Sequence, residues 1–253
     1  MKKKILIIVG SVLLLSGLSL GGIGIKNHLA EKNAGAIYED LKVQMDMEPI
    51  IELPAVENEK IENPIDFESL TAEYPDIYAW IQIPGTNVDY PIVQREDDNS
   101  YYLNHTIDGK KKTEGSIYTE NYNSKDFADA NTIIYGHNMK NGSMFKTLHR
   151  YKDKQFLLDN SEIFIYQKDR VLKYKIFAAY VSDNKHLLFQ YDFEDENIFG
   201  NYLNNVLTKR DMSSNINTNV DVTANDKIIT LSTCNNNDAQ RYLVQAVLLS
   251  IQE

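Results

Sequence analysis

From Asp76 to its C-terminus the chain is a train of short β-rich runs broken by turn signals, and this restricts the fold more than any other feature. Residues 77–83 read as a strand that stops at Pro84-Gly85-Thr86-Asn87, and residues 88–94 follow as its hairpin partner. Pro91 inside that second run lacks an N–H, which favours a sheet edge or a bulge. Residues 116–119 and 132–135 read as short strands around a polar loop, 120–129. Residues 144–151 read as a helix. Residues 162–167 and 171–181 form a second hairpin that turns at 168–170. Ile198, Tyr202, Leu203, Val206 and Leu207 fall on one face of a helix over 197–209. Two last strands, 227–234 and 242–249, end the chain. The sum is about eight strands with few helices, no internal repeat and no low-complexity tract. A mostly β, closed and largely antiparallel barrel follows, because closure removes exposed sheet edges. Sixteen tyrosines and a hydrophobic fraction of 43% suit a β-rich core.

The first residues point to a different environment. Lys2, Lys3 and Lys4 precede residues 5–25, which carry no charge. That length spans a hydrocarbon core as a helix. The lysines place the N-terminus in the cytoplasm and the remainder outside. A cleaved signal peptide is the alternative, although the stretch exceeds a usual signal core and shows no convincing small-residue cleavage site. The expectation is a single-pass cell-membrane protein with an extracellular body. Beyond the anchor, Ile37, Leu41 and Met45 at four-residue spacing predict an amphipathic helix. Residues 48–64 are acidic, hold three prolines and read as a linker, and residues 66–70 read as a short helix. The chain therefore divides into an anchor (1–26), an extracellular helix and linker (27–66) and a barrel (67–253). A formal net charge of −10 supplies no basic stripe for phosphates, which argues against a nucleic-acid partner.

An extracellular barrel with one cysteine, Cys234, has no internal disulfide to form, so the thiol is either inert in the core or chemically employed. It ends the strand Lys227-Ile-Ile-Thr-Leu-Ser-Thr-Cys234. An unassisted thiol is only about 3% thiolate at neutral pH. Of five histidines, His28 abuts the anchor, His149 lies in the expected helix, and His105 and His186 lie in polar loops; these read as solvated or locally bonded rings. His137 follows Thr132-Ile-Ile-Tyr-Gly136 and so sits at a strand mouth, as Cys234 does, with Gly136 allowing a tight exit. Arg241 heads the final strand. If that strand pairs with 227–234, its guanidinium returns to the same rim, where it can donate to a substrate carbonyl or a developing oxyanion. Residues unrelated to one another, and a surface salt bridge for Arg241, remain open on spacing alone. One cysteine and scattered histidines make no ligand set, so no metal or cofactor is implied.

The ordered set Ile134-Tyr-Gly-His137-Asn-Met, Thr230-Leu-Ser-Thr-Cys234 and Arg241 resembles the sortases, membrane-anchored cysteine transpeptidases of Gram-positive bacteria. Residues 76–94, and Asn99-Ser-Tyr-Tyr-Leu103 with Asn104-His105, resemble class B members. The resemblance runs from about Phe67 to the C-terminus. It implies an eight-stranded sortase-type β-barrel with N-terminal helices and one helix, matched by 197–209, in the long loop before the cysteine strand. It implies Cys234 as nucleophile, His137 as acid/base and Arg241 as the positioning or oxyanion group. Asn99, Leu103, Tyr135 and Ser232 match groove positions. The implied substrates are secreted proteins with a C-terminal sorting signal, NPxTx-like for class B, and the implied acceptor is an amine of peptidoglycan or of a pilin lysine. Pilus polymerisation, plain thiol proteolysis and a non-catalytic adhesin are the alternatives. Residues 235–240 form a loop that is short for the family, and Asn235 stands where some members carry an acid.

Overall fold

The fold is that of a computed structural model, which describes residues 29, 31–45, 61–235, 237 and 239–253. The uncharged stretch 5–25 and most of the expected linker lie outside the described residues. Among the described residues no helix is long and apolar enough to cross a membrane.

The strand signals become β1 (Ile77–Gln82), β2 (Asp89–Val93), β3 (Ile117–Thr119), β4 (Asn131–Tyr135), β5 (Glu162–Gln167), β6 (Arg170–Asp183), β7 (Asn215–Ile216), β8 (Ile228–Cys234) and β9 (Gln240–Gln252). Their order is β5-β1-β2-β3-β4-β8-β9-β6, and β6 pairs back onto β5, so eight strands close a barrel; two-residue β7 is added beside β6. Closure leaves no open edge among the eight. Pairings are antiparallel except for β2 with β3 and β4 with β8. Pro91 faces Trp80 across β1 in a strand that has neighbours on both sides. The strand is no edge, but β3 pairs only with Ile92 and Val93, so the missing N–H breaks no rung there. Trp80, Tyr90, Phe164, Tyr166, Tyr174 and Tyr242 are fully buried and belong to one apolar cluster built on both faces of the sheet.

The helices pack on this barrel. Helix α1 (Ala36–Gln44) starts after Gly35, whose φ of 84° suits glycine. Its anchor is Tyr38 rather than the Ile37–Met45 row: Tyr38 and Leu41 are buried, whereas Ile37 and Met45 are only partly so. The Tyr38 hydroxyl donates to the Gly115 carbonyl at 2.6 Å and contacts Ser116 Oγ at 3.0 Å. Helix α2 (Phe67–Glu73) is capped by Asp66, which accepts from the N–H groups of Glu68 and Ser69 at 3.1 Å.

The segment expected as a helix over 144–151 is a 3₁₀ helix, Phe145–Lys152. Its buried residues, Phe145, Leu148 and Tyr151, are three apart, which aligns them in a single row at three residues per turn, whereas at 3.6 they would spread over a face about 120° wide. Short α3 (Lys154–Asp159) and α4 (Leu187–Gln190) follow. Helix α5 (Glu196–Leu207) lies before the cysteine strand, with Asp195 as its cap. It buries Phe199, Tyr202, Leu203 and Val206, an i, i+3, i+4, i+7 set, against Phe177, Tyr180 and Leu243 in a second apolar cluster. Each such burial stabilises by about 1.5–3 kcal/mol. Ile198, expected on that face, is exposed; Phe199 takes its place because the larger side chain lies at the centre of the stripe.

Candidate active site

Register decides which side chains meet. Parallel β4 and β8 pair Tyr135 with Ser232, so a residue two steps beyond each leaves from the same end of the barrel. Those residues are His137 and Cys234. The antiparallel turn into β9 pairs Cys234 with Arg241 and returns the guanidinium to that end. Gly136 makes the exit possible through space rather than turn geometry. A Cβ there would lie 2.5 Å from Ile117 Cδ1 and 2.6 Å from Phe145 Cδ2. Its N–H donates to the Ser232 carbonyl at 3.1 Å and extends the ladder by one rung.

Cys234, His137 and Arg241 line one cavity of about 250 Å³, together with Leu103, Tyr135 and Ser232. The Cys234 thiol is free and half-buried. His137 Nε2 lies 2.6 Å from the Leu103 carbonyl. A carbonyl only accepts, so Nε2 carries the hydrogen and Nδ1 is the basic nitrogen of the neutral ring. Arg241 donates to the Gln240 carbonyl at 3.0 Å. Asn99 does not line the cavity. It pairs twice with Asn121, accepting its N–H at 2.7 Å and donating to its side-chain oxygen at 2.8 Å, and so ties down the loop next to Glu120.

Two groups in the same place had no sequence signal. Glu120, just past β3, lies 2.5 Å from His186 Nε2, just before α4. Tyr135 donates its hydroxyl to the same carboxylate at 3.1 Å. His186 also stacks on Phe189, with ring centres 4.1 Å apart. Glu120 and His186 both line the cavity, and they join loops 66 positions apart, a separation that no local spacing rule detects. Burial and the nearby Glu120 charge push the Tyr118 and Tyr135 phenols well above their ordinary range, so both remain neutral. His149, expected to be solvated or locally bonded, reaches the carbonyl of Cys234 at 3.0 Å. Burial holds its imidazole below the ordinary histidine value, and it is neutral at neutral pH. His105 does behave locally, on the Tyr101 carbonyl at 2.8 Å. Among the described residues no group of three His, Cys, Asp or Glu side chains is placed to hold a metal ion.

A thiol beside an imidazole and a guanidinium, in a cavity at the mouth of a closed barrel, has the parts for covalent acyl transfer. Residues 81–249 match the Sortase domain, and the chain belongs to this family of cysteine transpeptidases. Within it the chain groups with class B. It is 41% identical over 160 residues to sortase B of Listeria monocytogenes serovar 1/2a, a match that spans 63% of each protein and thus less than two thirds of that relative. It is 31% identical over 232 residues to sortase B of Staphylococcus aureus, spanning 92% of this chain and 90% of that one. The crystal structure of Staphylococcus aureus sortase B superposes with a TM-score of 0.65 at 30% identity, covering 74% of this chain and 87% of that one. Similar structures include a Staphylococcus aureus sortase B–substrate complex and a sortase B complexed with triglycine.

Proposed function

We propose that this protein is a membrane-anchored class B transpeptidase that joins secreted proteins to an amine at the cell surface. The observation that carries this is the convergence of Cys234, His137 and Arg241 on one cavity through two strand registers. His137 Nδ1 takes the proton of the Cys234 thiol, and the thiolate attacks a backbone carbonyl of a C-terminal sorting signal, forming an S–C bond and an oxyanion. Arg241 donates hydrogen bonds to the oxyanion. As the C–N bond breaks, His137 gives its proton to the leaving amine and a thioacyl-enzyme remains. An incoming amine then attacks, His137 takes its proton, and the thiolate is released. The bond from His137 Nε2 to Leu103 fixes the ring during both steps and leaves Nδ1 to exchange the proton. Leu103, Tyr135 and Ser232 form the walls around the bound peptide, and Asn99 supports the neighbouring loop.

The sorting signal is NPxTx-like, in keeping with the class B relatives. A glycine-type amine of a peptidoglycan cross-bridge is the acceptor, a reading supported by the related sortase B complexed with triglycine. Residues 5–25 hold the enzyme in the membrane with its barrel outside the cell. Incubating the full chain in detergent with an NPxTx-type peptide, with and without triglycine, tests the chemistry by mass. The expected products are a thioacyl adduct on Cys234 and a peptide–triglycine conjugate, and Cys234→Ala yields neither. Hydrolysis alone in the presence of triglycine would make the enzyme a thiol protease, and transfer only to a pilin lysine would make it a pilus polymerase. Unaltered processing by Cys234→Ala would leave an adhesin. Full-length protein found in the soluble fraction, with no signal-peptide cleavage, would end the anchor assignment.

A further inference from the structure

Cys234 is the last residue of β8, where the sheet can no longer hold it on one side. The β4 ladder ends with Tyr135 opposite Ser232, and the Gly136 N–H takes the Ser232 carbonyl. The next carbonyl along the strand on that side belongs to Cys234, and no strand N–H is left for it. Two side chains substitute. Asn138 Nδ2 and His149 Nε2 each lie 3.0 Å from the Cys234 oxygen. Since that oxygen only accepts, His149 presents its Nε2–H. The ring is also held in plane: it stacks on Tyr242, with centres 4.9 Å apart and planes 23° apart, and Tyr242 pairs with Thr233 across the β8–β9 ladder.

The turn that carries His149 also holds the other reacting residue. At the start of the 3₁₀ segment, the Phe145 N–H donates to the His137 carbonyl at 2.9 Å. At its end, Lys152 Nζ donates to Asn235 Oδ1 at 3.2 Å. Between them Phe145, Leu148 and Tyr151 are fully buried, which ties the segment to the core. One rigid turn thus grips the backbone of His137 with its first residue, and the Cys234 backbone and the Asn235 side chain with its last four.

We propose that His149 is a positioning residue of the transfer reaction, coupling the main chain of the nucleophile to that of its acid/base partner through the Phe145–Lys152 turn. The proposal rests on Cys234 and His137 acting together, as described under Proposed function. His149 itself touches neither substrate nor the reacting atoms. It sets the separation of sulfur and imidazole, to which the rate is sensitive because misplacement by about 1 Å costs up to about 10²-fold.

Two variants separate this from a packing role. His149→Phe keeps the stack on Tyr242 and removes the donor, while Asn138 still satisfies the Cys234 oxygen, so folding is preserved. His149→Gln places an amide nitrogen within reach of the same carbonyl and keeps the donor. The full chain in detergent is assayed with an NPxTx-type peptide and triglycine, and separately by the rate at which iodoacetamide alkylates Cys234, which needs no substrate. His149→Phe is expected to lower kcat about tenfold, the worth of one lost hydrogen bond, with KM unchanged. His149→Gln is expected to restore most of it. Alkylation follows the same order, changed in the Phe variant and near wild type in the Gln variant. Wild-type kcat in His149→Phe, or an equal loss in His149→Gln, overturns the proposal. If the wild-type protein transfers nothing, the transpeptidase reading fails by itself, and the alkylation rates still decide whether His149 positions the thiol.

Discussion

Adding one methyl group to Gly136 tests whether the exit from β4 places His137. A Cβ at this position meets Ile117 Cδ1 at 2.5 Å, Phe145 Cδ2 at 2.6 Å and Phe145 Cγ at 2.7 Å, all too close. Ile117 Cδ1 is the end of a side chain and can rotate. Phe145, as fully buried as Ile117, is met at Cγ, one bond from its Cβ, and its N–H is bonded to the His137 carbonyl, so it has less freedom to move aside. Relieving the clash through Phe145 therefore drags His137. Overpacking of this kind costs about 1–3 kcal/mol. At roughly 2–4 °C per kcal/mol for a domain of this size, a loss of about 2 kcal/mol lowers Tm by about 4–8 °C. The catalytic loss is larger in proportion, up to about 10²-fold in acyl-enzyme formation, because displacement of the acid/base group counts directly. Thermal melting and single-turnover mass spectrometry of the thioacyl adduct measure the two effects on the same sample. Combining Gly136→Ala with Phe145→Leu opens the space again, and its cost should fall below the sum of the single changes. A Gly136→Ala protein with unchanged Tm and unchanged acylation rate would refute the placement of Phe145 against this glycine, and with it the link to His137. Strict additivity in the double variant would do the same.

Other changes probe separate parts of the molecule. Tyr38→Phe removes the hydroxyl that joins α1 to Gly115 and Ser116 and leaves the Gly115 carbonyl short of a donor, a loss of about 1–3 kcal/mol by urea denaturation; no change in the midpoint would detach α1 from the barrel. Glu120→Gln replaces the carboxylate that binds both His186 and Tyr135, and should raise KM for the sorting peptide several-fold by loosening one cavity wall, with the Cys234 alkylation rate unaltered. An effect on alkylation without one on KM would move Glu120 from the wall to the nucleophile. His149 titrates below the ordinary histidine range because of burial, so the unfolded chain binds its proton first as pH falls. Its contribution to stability is complete above the unfolded value of about 6.5 and is lost as pH drops below it, and His149→Gln should flatten that part of the Tm-against-pH curve.

What the sequence shows about this fold is set by the range over which each signal acts. Alternation and turn residues act over a few positions, and the barrel strands, both hairpins and the Asp66 start of α2 were legible from them. The pairing of Cys234 with Arg241 followed from a hairpin whose two strands adjoin in sequence. Periodicity was misleading where two helix types share a spacing. Residues 145, 148 and 151 are three apart, which fits an α-helical face nearly as well as the 3₁₀ turn that they form. Stripe centres slip by one residue for the same reason, as Tyr38 and Phe199 did against Ile37 and Ile198. The meeting of His137 with Cys234 was of another kind. It depends on a parallel β4–β8 pairing between strands almost a hundred residues apart, which no local pattern encodes; the shared strand-mouth positions left it as one open alternative, and the resemblance of the His137 and Cys234 motifs to a known family selected it. Where no motif existed, nothing pointed to the contact. Glu120 with His186, and His149 with the Cys234 carbonyl, are pairings of ordinary polar residues across the same long range. The residues that do chemistry were therefore easier to read than those that hold them in place, because a nucleophile is restricted in residue type whereas a donor to a carbonyl can be any of several side chains.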